Sequence, residues 1–272
     1  MAYEAILLEK EGGIATLTLN RPVVLNALNP VILADIGQAI QEVEEDDEQK
    51  VLIITGAGRG FCSGADLSSP IPGSPEAAAN AAARQGRRLK TLPFAGFGRM
   101  ALRLRAMSKP TIAAVNGVAT GAGFSLALGC DIRIASETAR FSAIFVRRAL
   151  VADTGATYLL PRIIGTARAM ELMFTGDFVD AQEAERLGLV SRVVPPDQLI
   201  PAAKELATKI ARGPSISIEL MKRMVYEGLE ANSFAASLAY EGWAQSVCHL
   251  TEDTKEGRLA FQEKREPNFK GQ

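Results

Sequence analysis

Histidine and cysteine are scarce in this 272-residue sequence, which has one histidine, His249, and three cysteines, Cys62, Cys130 and Cys248. The thiols form no Cys-x-x-Cys pair, and their spacing matches no zinc site, so no metal centre is expected. An odd number of cysteines in a chain long enough to bury its own core predicts reduced thiols and a cytoplasmic setting. A Ser-His-Asp triad would have to use His249. Neither charge dominates: 30 Lys and Arg face 31 Asp and Glu, for a net charge of -1. That balance excludes a protein built mainly to grip a nucleic-acid backbone, a small basic patch aside. No apolar run reaches membrane-spanning length; Thr111 to Ala119 reads as a buried strand. Met1 to Lys10 has no basic patch followed by an apolar run, so no secretory signal is expected.

What the sequence does contain is strand, glycine turn and helix in succession. Ala5 to Lys10 and Ile14 to Leu19 read as a hairpin around Gly12-Gly13. Asn29 is placed to cap a helix from Pro30 to about Glu44, with Ile32, Ile36, Ile40 and Val43 on one face. Val51 to Ile54 is an apolar strand running into Gly56-Ala57-Gly58-Arg59-Gly60. No Gly-Lys-Ser/Thr follows and the spacing is not the dinucleotide fingerprint, so a phosphate loop is disfavoured. The pattern repeats at Thr111 to Val115, a buried-strand candidate that leads to Asn116-Gly117 and Gly121-Ala122-Gly123, a helix start at Phe124 and a strand at Ile132 to Ala135. Two glycine turns thus set backbone N–H groups at strand ends, where open α/β sheets bind ligands.

Ser68 to Gln85, rich in Pro, Ser, Gly and Ala, reads as a loop and a candidate substrate cover. Arg84 to Met107 has helical spacing, interrupted near Pro93. Helices follow at Thr166 to Phe174, Asp180 to Leu187, Pro196 to Ala211, Ser215 to Glu230 and Phe234 to Cys248, with a strand at Leu189 to Val194. Gly257 to Gln272 reads as a short helix and a loose tail.

Several stretches together resemble the crotonase, or enoyl-CoA hydratase/isomerase, family over essentially the whole chain. They include Asn26-Ala27-Leu28, Phe61-Cys62-Ser63-Gly64-Ala65-Asp66-Leu67, Lys109-Pro110-Thr111, Asn116-Gly117, Gly121-Ala122-Gly123, Cys130-Asp131 and Leu160-Pro161-Arg162. The resemblance implies an α/β fold: a spiral of repeated β-β-α units over residues 1–195, then a helical region over 196–272 for trimerisation and coenzyme A contact. It implies an acyl-CoA substrate, a homotrimer or a hexamer built as a dimer of trimers, and no cofactor beyond the coenzyme A of the substrate. It assigns the backbone N–H groups of Ala65 and Ala122 to an oxyanion hole. Such donors stabilise an enolate oxygen more than a neutral carbonyl. It places Cys62, Ser63, Ala65, Asp66 and Leu67 along the coenzyme A side, and Phe261 and Lys264 as a C-terminal pair meeting coenzyme A, often from a neighbouring subunit.

The resemblance also marks a departure. The hydratases use two glutamates, and the matching residues here are Ser125 and Phe145, neither of which exchanges protons as a carboxylate does. The carboxylate in that neighbourhood is Asp153, in Val151-Ala152-Asp153-Thr154-Gly155. Relatives that isomerise ring acyl-CoA epoxides place a catalytic aspartate there, although they carry Gly and Pro where Ala149 and Ala152 stand. Asp153 is therefore a candidate acid/base, with Phe145 as a desolvating neighbour; its other reading is a helix N-cap. Arg147 and Arg148 read either as solvent or subunit contacts or as recognition groups for a polar acyl substituent. The leading expectation is an acyl-CoA isomerase using one aspartate. The alternatives are an enoyl-CoA hydratase, a carbon–carbon or thioester hydrolase, and a non-catalytic acyl-CoA-binding scaffold.

Overall fold

The computed structural model describes residues 3–68, 97–231 and 233–272. The expected cover loop beyond Ser68 and the first half of the Arg84 to Met107 helix lie outside the described residues.

A hairpin opens the chain, β1 (Ile6–Glu11) against β2 (Ile14–Leu19). Helix α1 (Pro30–Glu45) follows, with the Asn29 side chain accepting from the Val31 and Ile32 amides at 3.1 and 3.0 Å. That cap and a proline in the first turn satisfy the helix start as the sequence predicts. Strands then come in pairs: β3 (Val51–Gly56) with β4 (Gly60–Cys62), β5 (Thr111–Val115) with β6 (Val118–Thr120), and β7 (Ile132–Ser136) with β8 (Arg140–Ser142). Helices α2 (Phe97–Ala106), α3 (Ala122–Gly129) and α4 (Ala156–Ile164) come after the successive pairs. The remainder is α5 (Thr166–Thr175), β9 (Val179–Asp180), α6 (Ala181–Arg186), β10 (Arg192–Val194) and four helices: α7 (Leu199–Ala211), α8 (Ser215–Glu230), α9 (Phe234–His249) and α10 (Glu252–Glu263).

The first member of each pair joins a six-stranded sheet, ordered β1-β2-β3-β5-β7-β10 and parallel from β2 onward. The second member joins a four-stranded sheet, ordered β4-β6-β8-β9. This is the β-β-α spiral that the resemblance implies. Side chains alternate across the larger sheet, and both faces are covered. Val51, Ile53, Ile112, Ala114 and Ile134 face Leu199, Ala203 and Ala207 of α7. Leu52, Ile54, Ala113 and Val115 face the main core with Ile32, Ile36 and Val43 of α1 and Leu104 of α2. Each fully buried Val, Leu or Ile side chain among these is worth roughly 1.5–3 kcal/mol over an exposed one.

Three readings are corrected. Asp153 does not cap α4: the cap position is Gly155, and no side-chain cap bond is made there. Helix α3 starts at Ala122, two residues before the expected Phe124. The C-terminal tail is not loose, because Asp253 accepts from the Lys270 and Gly271 amides at 2.7 and 2.8 Å and the Gln272 carbonyl accepts from the Glu252 and Asp253 amides. Asp253 is buried, and its carboxylate is satisfied by those amides.

Candidate active site

Asn26, fully buried, organises the first glycine turn. Its Nδ2 donates to the Ala57 and Gly60 carbonyls at 3.0 and 2.8 Å, and its Oδ1 accepts from the Arg21 amide at 2.8 Å. Two residues on, Leu28 pairs in parallel with Ala65. The Leu28 amide donates to the Gly64 carbonyl at 2.7 Å, and the Leu28 carbonyl accepts from the Asp66 amide at 3.0 Å. Both bonds go to residues flanking Ala65. By the alternation of an extended chain, the Ala65 N–H points to the other side.

On that other side is the second turn. The Thr120 hydroxyl donates to the Ser63 carbonyl at 3.0 Å. Gly64 sits at φ +95°, and a Cβ on it would lie 2.8 Å from the Thr120 carbonyl oxygen and 3.4 Å from the Ala122 nitrogen. The glycine is required twice over, by its left-handed backbone and by the close approach. A Cβ on Gly123 would lie 2.2 Å from the Cys62 carbonyl oxygen, so the start of α3 is pressed against β4. The two chain segments that carry Ala65 and Ala122 are thus held side by side.

Ala122 is the first residue of α3, and the first amides of a helix have no intrahelical acceptor. At the other end, the Arg133 guanidinium donates to the Cys130 and Leu189 carbonyls at 2.6 and 2.8 Å. A cation there complements the helix dipole, while the amino end carries partial positive charge into the site. Neither the Ala65 nor the Ala122 amide donates to another described residue. Two backbone donors at one junction can stabilise a developing oxyanion.

The expected acid/base loop is tied to the same helix. Ser125, completely buried on α3, donates its hydroxyl to the Asp153 carbonyl at 3.0 Å, with the Gly121 carbonyl as a second acceptor at 3.2 Å. The Asp153 side chain is exposed in the single chain and not sealed under Phe145, which packs into the core. Its Oδ1 accepts from the Thr154 hydroxyl at 2.8 Å. Thr154, passed over in the sequence reading, is buried and has φ +56°. The only sequence signal for it is its place between the aspartate and a glycine ahead of a helix. Ala149, at the start of this loop, also sits at φ +54°. Glycine adopts such a conformation at lower cost than alanine.

The remaining expected residues divide by burial. The Cys62 thiol is fully buried and donates to the Asn26 carbonyl at 3.2 Å; burial pushes its pKa up to about 12. It is an inert core thiol, so contact of Cys62 with a ligand would have to come from its backbone. Asp66 pairs with Arg21 at 2.8 Å and accepts from the Ser68 hydroxyl at 2.6 Å. The Ser68 bond, then the Arg21 cation, hold its carboxyl below the usual range. This favours a structural role for Asp66 over that of a proton donor. Ser63 donates its hydroxyl to the Val24 carbonyl at 3.1 Å, and Leu67 stands exposed.

Phe261 and Lys264 are exposed on α10 and its cap, and neither side chain bonds to the Ala65 or Ala122 turn. The chain segments of Ala65, Ala122, Ser125 and Asp153 are brought together, and no hydrogen bond or ion pair among the described residues links the C-terminal pair to them. Arg147 forms a 2.6 Å ion pair with Asp177 on the surface. Arg148 is exposed with no ion-pair partner among the described residues. No helix among the described residues is long and apolar enough to cross a membrane.

A β-β-α spiral that holds two backbone donors side by side at one junction is an α/β fold with a site of the kind that can stabilise an oxyanion. The comparisons show the family. The Enoyl-CoA hydratase/isomerase family model matches residues 9–272. A crotonyl-CoA hydratase of Syntrophomonas wolfei subsp. wolfei is 40% identical over 271 residues, covering 99% of both chains. A 1,2-epoxyphenylacetyl-CoA isomerase of Escherichia coli (strain K12) is 38% identical over 272 residues, covering 98% of this chain and 99% of that one. The crystal structure of an enoyl-CoA hydratase from Bacillus anthracis superposes with a TM-score of 0.90 at 33% identity, covering 99% of this chain and 100% of that one. The chain belongs to the enoyl-CoA hydratase/isomerase, or crotonase, family of enzymes.

Proposed function

We propose that this enzyme isomerises unsaturated or ring-containing acyl-CoA thioesters through an enolate, with Asp153 as its single acid/base. The observation that carries the reading is the tie between the two parts of the site: Ser125, one turn after Ala122, holds the main chain of Asp153. The thioester carbonyl accepts from the Ala65 and Ala122 amides. On a 3-enoyl-CoA, the Asp153 carboxylate takes a proton from C2, and the electron pair moves onto the carbonyl oxygen as the enolate. The same carboxyl then returns a proton to C4, the double bond moves to C2–C3, and no water is consumed. Proton transfer by a placed carboxylate contributes typically 10²–10⁴-fold. The donors are worth most to the enolate, because its charge is greater than that of the ground-state carbonyl. Coenzyme A takes part only as a portion of the substrate, and no further cofactor is needed for this step.

Ser63, Asp66 and Leu67 are assigned to the coenzyme A side, along with the backbone of Cys62. Phe145 is assigned to the apolar wall of the acyl pocket. Phe261 and Lys264 reach the ligand of a neighbouring subunit in a homotrimer or a hexamer of two trimers. The exposed Val225, Leu229, Phe234 and Phe261 on α8–α10 supply apolar surface for that assembly. Sedimentation that finds a stable monomer at micromolar concentration contradicts this part.

Asp153→Asn tests the acid/base. Its turnover of trans-3-hexenoyl-CoA is expected to fall by roughly 10²-fold or more. Retention within a few-fold removes Asp153 from the mechanism. The second reading, hydration of a 2-enoyl-CoA, is favoured by the 40% identity to a crotonyl-CoA hydratase and opposed by Ser125 and Phe145 at the two glutamate positions.

A further inference from the structure

We propose that Thr154 is a positioning residue for the proton transfer: its buried hydroxyl fixes the Asp153 carboxylate by Oδ1 and leaves Oδ2 to face the reacting carbon. This rests on the acid/base reading of Asp153. An exposed aspartate ordinarily samples several rotamers, and its terminal torsion is broad. A carboxylate that must take a proton at one carbon and return one at another gains from being held in one plane, since the reacting atoms have to be within about 3–3.5 Å.

The loop supplies two separate anchors. Ser125 and the Ala156 amide, each at 3.0 Å, fix the Asp153 carbonyl and hence the main chain. Those bonds leave the side-chain torsions free. The Thr154 hydroxyl has one proton to give, and its acceptor is Oδ1 at 2.8 Å. A bond to an ionised oxygen is of the stronger, charge-assisted kind.

Thr154 is an unlikely residue for that backbone position on local grounds alone. It lies at φ +56°, followed by Gly155 at +88°. A β-branched side chain in the left-handed region is an outlier, and glycine or asparagine adopts it at lower cost. Neither of those offers a hydroxyl from a buried position beside Oδ1. Retained local strain next to a reactive group is the pattern of a functional constraint.

The test compares Thr154→Val, which keeps the shape and removes the hydroxyl, with Thr154→Ser, which restores the hydroxyl on a smaller side chain. Asp153→Asn is run in parallel, and trans-3-hexenoyl-CoA is the probe for all three. Thr154→Val is expected to lose roughly 10- to 100-fold in kcat with KM within about twofold, and Thr154→Ser to recover to within about threefold of the native kcat. Should Thr154→Val not fold, Thr154→Ala against Thr154→Ser isolates the same hydroxyl. An inactive Asp153→Asn beside a Thr154→Val of native kcat overturns the role of Thr154 alone. A Thr154→Ser as slow as the hydroxyl-free variants does so as well. An Asp153→Asn that turns over normally overturns the acid/base reading and this inference with it.

Discussion

Adding one methyl group at Gly123 should separate the two backbone donors. In the native packing, that Cβ would lie 2.2 Å from the Cys62 carbonyl oxygen and 2.7 Å from the Cys62 Cβ and Sγ. Contacts below 3.0 Å are essentially never held, so the gap between α3 and β4 has to open by most of an ångström. The obstacle is the backbone of a buried strand and cannot swing aside. Overpacking of this kind costs about 1–3 kcal/mol, and in a chain of this size each kcal/mol moves Tm by about 2–4 °C. Gly123→Ala should therefore remain folded, with Tm lowered by roughly 2–12 °C. Catalysis should suffer more, because Ala122 moves with the helix start while Ala65 stays paired to Leu28. A misplacement of about 1 Å costs on the order of 10²-fold, and loss of one oxyanion donor about 10²–10³-fold. The assay is steady-state kcat on trans-3-hexenoyl-CoA beside a thermal melt. A folded Gly123→Ala with native kcat would refute the oxyanion geometry.

Other outcomes follow from the packing. Arg133→Met strands the Cys130 and Leu189 carbonyls, which are bonded at 2.6 and 2.8 Å. At about 1–3 kcal/mol for each orphaned acceptor, and about 2–4 °C per kcal/mol, Tm should fall by roughly 4–24 °C in a thermal melt. Ala149→Gly relieves a left-handed alanine and should stabilise by about 1 kcal/mol, read as a higher urea midpoint with an unchanged slope. Glu256 accepts from both terminal Nη nitrogens of Arg265, the main cause of its lowered pKa of about 2; the Asn268 amide contributes next. A carboxyl with a lowered folded pKa stabilises the fold above its unfolded value and loses that contribution as pH falls through the folded one. The Asn268 amide should stay protected from hydrogen exchange near pH 6, after correction for intrinsic rates, and lose protection between about pH 4.5 and 2.

Much of the scaffold is legible in the sequence for physical reasons. Strands β3 and β5 are buried on both faces, so they read as unbroken apolar runs. Helices α1 and α7 bury one stripe, so their periodicity shows. Strands β4, β6 and β8 have three residues each, too few for a period, and only their place after a glycine turn marks them. The two donor positions came from the resemblance; what the residues themselves show is glycine beside each of them. Positive φ at Ala149 and Thr154 is not legible, because alanine and threonine disfavour that conformation and no residue type there signals it. The fastening of the tail by Asp253 was missed for a similar reason: its partners lie 17 and 18 residues away in sequence.

In the proposed reaction a proton leaves and returns by way of an enolate and no water is added. This is tested most directly by incubating the enzyme with 2-enoyl-, 3-enoyl- and ring-acyl-CoA thioesters in heavy water and reading product masses. An isomeric product that carries solvent deuterium and no added oxygen is expected. A product heavier by one heavy-water molecule contradicts the proposed reaction and assigns the enzyme to hydration.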